Sequence, residues 1–192
     1  CMRWFRDQFG IQEEYEDLSR LAENVPPGAE GLIFLPYLTG ERTPHMDHQA
    51  RALFFGLTLK HTKAHMLRAI MEGVVFGMNQ SLEIFSELGV HVDTLLLSGG
   101  GAKSSLWRQI QADIYQREVH HLTADEHSSL GAAMLAGSAV GVWPDLSDVS
   151  QRVVERKEPV SPNPENQPVY QRRYNLFKTI YPRVKDLFAE LE

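Results

Sequence analysis

The chain has 192 residues, 43% hydrophobic and 23% charged, with a net charge of −6. Those proportions suit one globular unit able to bury a core, and the acidic balance argues against a general nucleic-acid or anionic-membrane binder. No apolar run approaches the roughly 18 residues of a spanning helix, and the single cysteine, Cys1, excludes an internal disulfide and fits a reducing, cytoplasmic setting.

The chain opens on CMRWFRDQFG, without a methionine, and reads as a segment cut from a larger protein. Residues 1–22 read as helical, with Trp4, Phe5, Phe9, Leu18 and Leu21 as core contacts. NVPPGAEG (24–31) is a turn, because paired prolines and a glycine stop a helix. LIFLP (32–36) and ALFFGLTL (52–59) are short strands, and the polar stretch 37–51 between them is a loop. From Thr62, placed as an N-cap, Met66, Ile70, Gly73, Val74, Gly77, Met78, Leu82, Phe85 and Leu88 recur every three or four residues up to Gly89. That spacing predicts a long helix with one apolar face.

VDTLLLSGGG (92–101) is a strand running into a glycine turn. Its three consecutive leucines suit a strand covered on both faces. A helix (103–116), a strand EVHHL (118–122) and a helix (128–141) ended by VWPDLSD follow. Residues 151–167, charged and holding Pro159, Pro162 and Pro164, read as an extended connector. Tyr170, Tyr174, Phe177, Tyr181, Val184, Phe188 and Leu191 then share one face of a closing helix, with a kink or break expected at Pro182. Alternating strands and helices predict an α/β domain with a mixed sheet flanked by helices. Its expected bounds are 1–150, with the connector 151–167 and the helical segment 168–192 packed on the same body. No internal repeat is visible.

The turn LLLSGGGAKSS carries the chemical interest. A Walker loop needs four residues between its first glycine and Gly-Lys-Ser/Thr; here Lys103 follows Ala102. The dinucleotide pattern G-x-G-x-x-G also fails, because Ser104 stands at its third glycine. What remains is a strand, three glycines that let a ligand approach the backbone, and a helix N-terminus with free N–H groups. By itself the turn admits a nucleotide cradle or a tight structural bend. Likewise, the small-faced helix 128–141, with Gly131, Ala132, Ala133, Ala136, Gly137 and Ala139, suits close core packing or a ligand.

The two elements in this order, with the stretch ALFFGLTLKHTKAHMLRAIME (52–72), resemble the FGGY family of carbohydrate kinases, sugar kinases of the actin/Hsp70-like, ribonuclease H-type fold. Ala52, Phe54, Gly56 and Leu57, then His65, Met66, Ala69, Ile70, Met71 and Glu72, match its C-terminal signature without departure. FLPYLTGERTPH (34–45), the glycine turn and the tail YQRRYNLFKTIYPRVKDLF are similar to the D-xylulose-phosphorylating branch, and the likeness covers essentially all the chain. The resemblance implies an ATP- and Mg2+-dependent kinase acting on the terminal hydroxyl of D-xylulose, with gluconate or another sugar as the alternative substrate. It further implies that Gly99, Gly100, Gly101, Ala102 and Ser104 hold the adenosine side of the nucleotide, with Arg3 nearby. Relatives carry asparagine at the position of Ser104 and glutamine at that of Arg3. The catalytic aspartate, the phosphate-binding Gly-Thr segment and the sugar contacts of the family lie upstream, in an N-terminal domain this sequence does not include. The chain alone is therefore expected to be inactive. Members often form dimers, so a homodimer is a further expectation. A non-catalytic actin-like ATP-binding domain is the reading from a different class; the 52–72 signature speaks against it.

Other polar residues are weighed on their own terms. His45 with His48, His61 with His65, and His120 with His121 are close in sequence. Neighbours on a strand point to opposite faces, and the i, i+4 pair lacks a zincin's Glu and third ligand, so no metal site is assigned. Asp113 reads as a capping or solvated carboxylate rather than a base. Glu41, Arg42 and His45, around Pro44, fit either a surface loop or a contact at a cleft or subunit interface.

Overall fold

The computed structural model describes residues 1–9, 14–122 and 127–191. Its spine is a 25-residue helix, α3 (Lys63–Glu87), whose N-terminal half is buried against the elements before it and two later helices. Two helices precede it, α1 (Met2–Gln8) and α2 (Tyr15–Glu23), where one helical stretch was expected; residues 10–13 between them lie outside the described residues. Phe5 and Leu18 are buried, whereas Trp4 and Phe9 are exposed.

Thr62 caps α3 as predicted, and its partner is His65: the Thr62 N–H donates to the His65 Nδ1 at 3.2 Å, closing a capping box. The helix buries more than one stripe. Leu67, Ile70, Met71, Val75 and Phe76 are all in the core, because α2 and the first strand cover one side and two later helices another. Met78, Phe85 and Leu88, expected on the core face, are exposed in its second half.

Strand β1 (Ile33–Leu35) pairs antiparallel with β2 (Leu53–Phe55), placing Phe34 opposite Phe54 with ring centroids 4.6 Å apart. Strand β3 (Leu95–Leu97) pairs in parallel with β4 (Val119–His121). Both strand directions are thus present, and among the described residues they form two separate two-stranded sheets. Leu97 is buried but Leu96 is 46% exposed, so the triple-leucine strand is covered on one face only.

Part of the segment expected as an extended connector, residues 156–160, lies along the outer edge of β4. Val119 and Val160 exchange both backbone hydrogen bonds, and the Lys157 N–H donates to the His121 carbonyl at 2.8 Å. Helix α4 (Gly100–Lys103) and α5 (Ser105–Tyr115) follow β3; α6 (His127–Ala139) and α7 (Leu146–Val153) follow β4. α7 starts inside the stretch expected to be irregular, capped by the Asp145 carboxylate, which accepts from the Ser147 N–H at 2.9 Å.

Helix α8 (Gln167–Phe188) buries Tyr170, Tyr174, Phe177, Tyr181 and Phe188 as expected, and it runs through Pro182 without a break. Two polar knots fasten it. Asp113 of α5 is buried and accepts from the Asn163 N–H and the Asn166 amide, each at 2.7 Å, just before α8 begins. It is a structural anchor. Deeper in, the Glu72 carboxylate accepts from Arg68 Nε at 2.7 Å, from the Gly28 N–H at 2.9 Å and from the Tyr170 hydroxyl at 3.1 Å. Arg68 also donates to Tyr170 at 2.7 Å. This buried pair ties α3, α8 and the 24–31 turn together.

Candidate functional site

The glycine turn is built by three different backbone states. Gly99 takes φ 77°, ψ −170°, a conformation open essentially to glycine alone, which turns the chain off β3. Gly100 and Gly101 then wind into the single turn of α4 instead of an irregular loop. Ser104 returns to extended backbone and caps α5, its Oγ accepting from the Trp107 N–H at 3.2 Å. Ala102 points into the core, and its carbonyl accepts from Arg108 Nη1 at 2.7 Å.

A cleft of about 890 Å³ opens over this turn. It is lined by Gly100, Gly101, Lys103, Ser104 and Ser105, by residues of α1 and α2 including Arg3, Tyr15 and Ser19, and by Met71 and Trp107. The Trp107 ring holds the turn from below. Its indole N–H donates to the Met71 carbonyl at 3.2 Å, and a Cβ on Gly101 would stand 3.1 Å from the ring. A Cβ on Gly100 would meet nothing within 4 Å, so the cleft side of the turn is bare backbone.

The fold therefore brings Arg3 onto the same cleft as Gly100, Gly101 and Ser104. Gly99 shapes the turn without lining the cleft, and the Ala102 side chain is turned away from it. Tyr15, Ser19 and Trp107 were not singled out in the sequence, and Met71 entered only as a position of the family signature. Nothing local marks them as cleft residues: they reach it through the packing of α2, α3 and α5. The arrangement can hold a ligand against exposed backbone at the start of a helix, with a cation and an aromatic ring in the same cleft.

The 41–47 loop lies elsewhere, against α8. Glu41 and Asp47 exchange both backbone hydrogen bonds at 2.7 Å, and the Glu41 carboxylate accepts from the Thr43 N–H at 2.7 Å. The His45 ring stacks on Tyr181 at 3.9 Å, and the Tyr181 hydroxyl donates to Asp47 at 2.7 Å. That hydrogen bond holds the Asp47 carboxyl below the usual range. Burial raises the Glu41 carboxyl and lowers the His45 imidazole. Both His61 and His65 use Nδ1 toward a backbone N–H, at 2.9 and 3.2 Å. That leaves Nε2 as the protonated nitrogen in the neutral ring. Among the described residues no group of three or more His, Cys, Asp or Glu is placed to hold a metal.

The model of the FGGY family of carbohydrate kinases, C-terminal domain, matches residues 1–140. The xylulose kinase of Bacillus subtilis (strain 168) is 39% identical over 98% of this chain. The ligand-bound crystal structure of xylulose kinase from Lactobacillus acidophilus superposes with a TM-score of 0.88 at 31% identity, covering 99% of this chain and 39% of that one. Gluconate kinase from the same species gives a TM-score of 0.84 at 31% identity, covering 94% of this chain and 37% of that one. The chain spans 38% of the length of the Bacillus relative. With the signature at 52–72 and the cleft over its glycine turn, the chain belongs to the FGGY family of carbohydrate kinases and carries that family's C-terminal domain.

Proposed function

We propose that the whole polypeptide is an ATP-dependent sugar kinase converting D-xylulose to D-xylulose 5-phosphate, and that this chain supplies the nucleotide side of its cleft. The observation that carries the reading is the cleft itself, which Arg3, the bare backbone of Gly100 and Gly101, and Ser104 all line. In this reading those groups and Gly99, which sets the turn, hold the adenosine end of ATP, while Ala102 contributes through the backbone. Residues 1–150 act as the domain body, 151–167 as the strap along β4, and 168–192 as the closing helix. The xylulose kinase relatives favour D-xylulose; the equal identity to a gluconate kinase structure makes gluconate the second candidate.

Phosphoryl transfer needs positioning, charge neutralisation and a base at the attacking hydroxyl. This chain's residues do the first: they bind and orient the nucleotide. Mg2+, when bound, neutralises charge on the transferring phosphoryl group. Among the described residues no group of three or more His, Cys, Asp or Glu is placed to hold it, and in this reading the phosphate-binding segment belongs to the N-terminal domain. That domain also brings the base and the sugar contacts. No described helix is long and apolar enough to cross a membrane, and we assign the enzyme to the cytoplasm, where ATP and free sugars meet.

The test is a panel of D-xylulose, gluconate and glycerol with Mg-ATP on the whole polypeptide. D-xylulose should give the highest kcat/KM; a higher value for gluconate would overturn the assignment. The 192-residue chain alone should show no sugar-dependent turnover while still binding ADP weakly, because half the site is missing.

A further inference from the structure

Tyr15 opens α2 and lines the cleft together with the glycine turn, and it is 45% exposed. Its ring is not loose. The Arg6 guanidinium carbon lies 4.6 Å from the ring centroid, and Arg6 is itself fixed by Asp7 at 2.9 Å. Arg6 is not among the described residues lining the cleft, whereas Tyr15 is. The cleft lining thus includes a held aromatic ring and the side-chain-free backbone of Gly100. Trp107, the other aromatic among its described lining residues, is already committed beneath the turn to Gly101 and the Met71 carbonyl. A cleft lined by a ring and bare backbone suits a flat heterocycle, and aromatic stacking is indifferent to which base supplies the π-face.

We infer that Tyr15 is a stacking platform for the base of the bound nucleotide, a binding residue outside the glycine turn. This rests on the nucleotide reading of the cleft. It makes two specific demands. Removing the ring while keeping bulk, Tyr15→Leu, weakens ADP and GDP binding alike by about 10-fold, the scale of one stacked base. Tyr15→Phe, which keeps the ring, binds like the parent.

The experiment is NMR titration of the whole polypeptide with ADP and with GDP. In the parent and in Tyr15→Phe, the base protons should shift upfield on binding and show contacts to the residue-15 ring. In Tyr15→Leu the upfield shift should vanish. An upfield shift retained in Tyr15→Leu, or a bound base without contacts to the Tyr15 ring in the parent, overturns the stacking role and leaves the nucleotide reading standing. A parent whole polypeptide that binds neither nucleotide at millimolar concentration overturns the nucleotide reading itself.

Discussion

Among the described glycines, Gly73 has the least room for a side chain, where α3 passes over β1. A Cβ there would fall well inside contact distance of the Phe34 carbonyl oxygen, a backbone atom with no rotamer to escape into. Gly73→Ala should therefore destabilise by roughly 3 kcal/mol, the upper range for overpacking, measured as a lower urea midpoint; an unchanged midpoint would mean that α3 can slide. One position earlier, Glu72→Gln should cost about 3 kcal/mol or more, because it leaves the Arg68 charge buried without its counter-ion. Both residues were visible in the sequence only as positions on a predicted helix and in a family signature. Their contacts join residues far apart in the chain, so periodicity could place them but could not say what they touch. His45 has a different signature. Burial lowers its folded-state pKa below 6.5, with Asp47 opposing and Lys185 reinforcing the shift, while the Tyr37 and Tyr181 rings pack against it. A base with a depressed folded pKa contributes stability in full above its unfolded value and loses it as pH falls through the folded value. Stability should thus decline as pH falls below about 6.5, the unfolded value. Glu41, raised by burial, works in the opposite sense, so the comparison with His45→Phe is what isolates the imidazole. That variant keeps a ring on Tyr181 and should show a flatter pH profile; identical profiles would exclude the histidine as the source.

Among the elements, α3 shows what local chemistry can announce. Thr62 as N-cap was legible because cap residues act through their own backbone neighbours, and the reciprocal bond from His65 explains why a polar residue sits at that point of the signature. Thr62→Ala should cost about 1 kcal/mol, seen as a lower thermal midpoint without loss of helix content; no change would mean that His65 alone holds the terminus. The elements that escaped prediction were those decided by distant partners. α7 buries only Val149 among its residues, too little apolar pattern to read, although Asp145 was a usable cap signal. The 156–160 strap looks like linker because its proline and charges are not β-forming, and β4 supplies the pairing. At the glycine turn, spacing sufficed to reject both phosphate-loop patterns. It could not show that two of the glycines would wind into α4, since that depends on Trp107 closing beneath them.

At the scale of the whole molecule, the open surfaces follow one logic. A parallel strand pair is normally covered on both faces, yet Leu96 on β3 is half exposed, and β3 has β4 as its one strand neighbour among the described residues. The edge of β4 is occupied by the strap, so the open edge lies on the β3 side. Nearby in sequence, α6 and the turn after it present Leu135 at 60% exposure with Val140 and Val142, apolar residues that a monomeric surface seldom gathers. The chain spans 38% of its Bacillus relative's length, and we attribute these faces to contacts with the remainder of the polypeptide. On its own the chain should then bind a hydrophobic dye and elute as larger species when concentrated, with Leu96→Thr and Leu135→Gln each reducing both effects. The whole polypeptide should bind far less dye per molecule. A chain that stays monomeric and dye-free at every concentration would show that these leucines are tolerated in water, and that the two-stranded pair is complete as it stands.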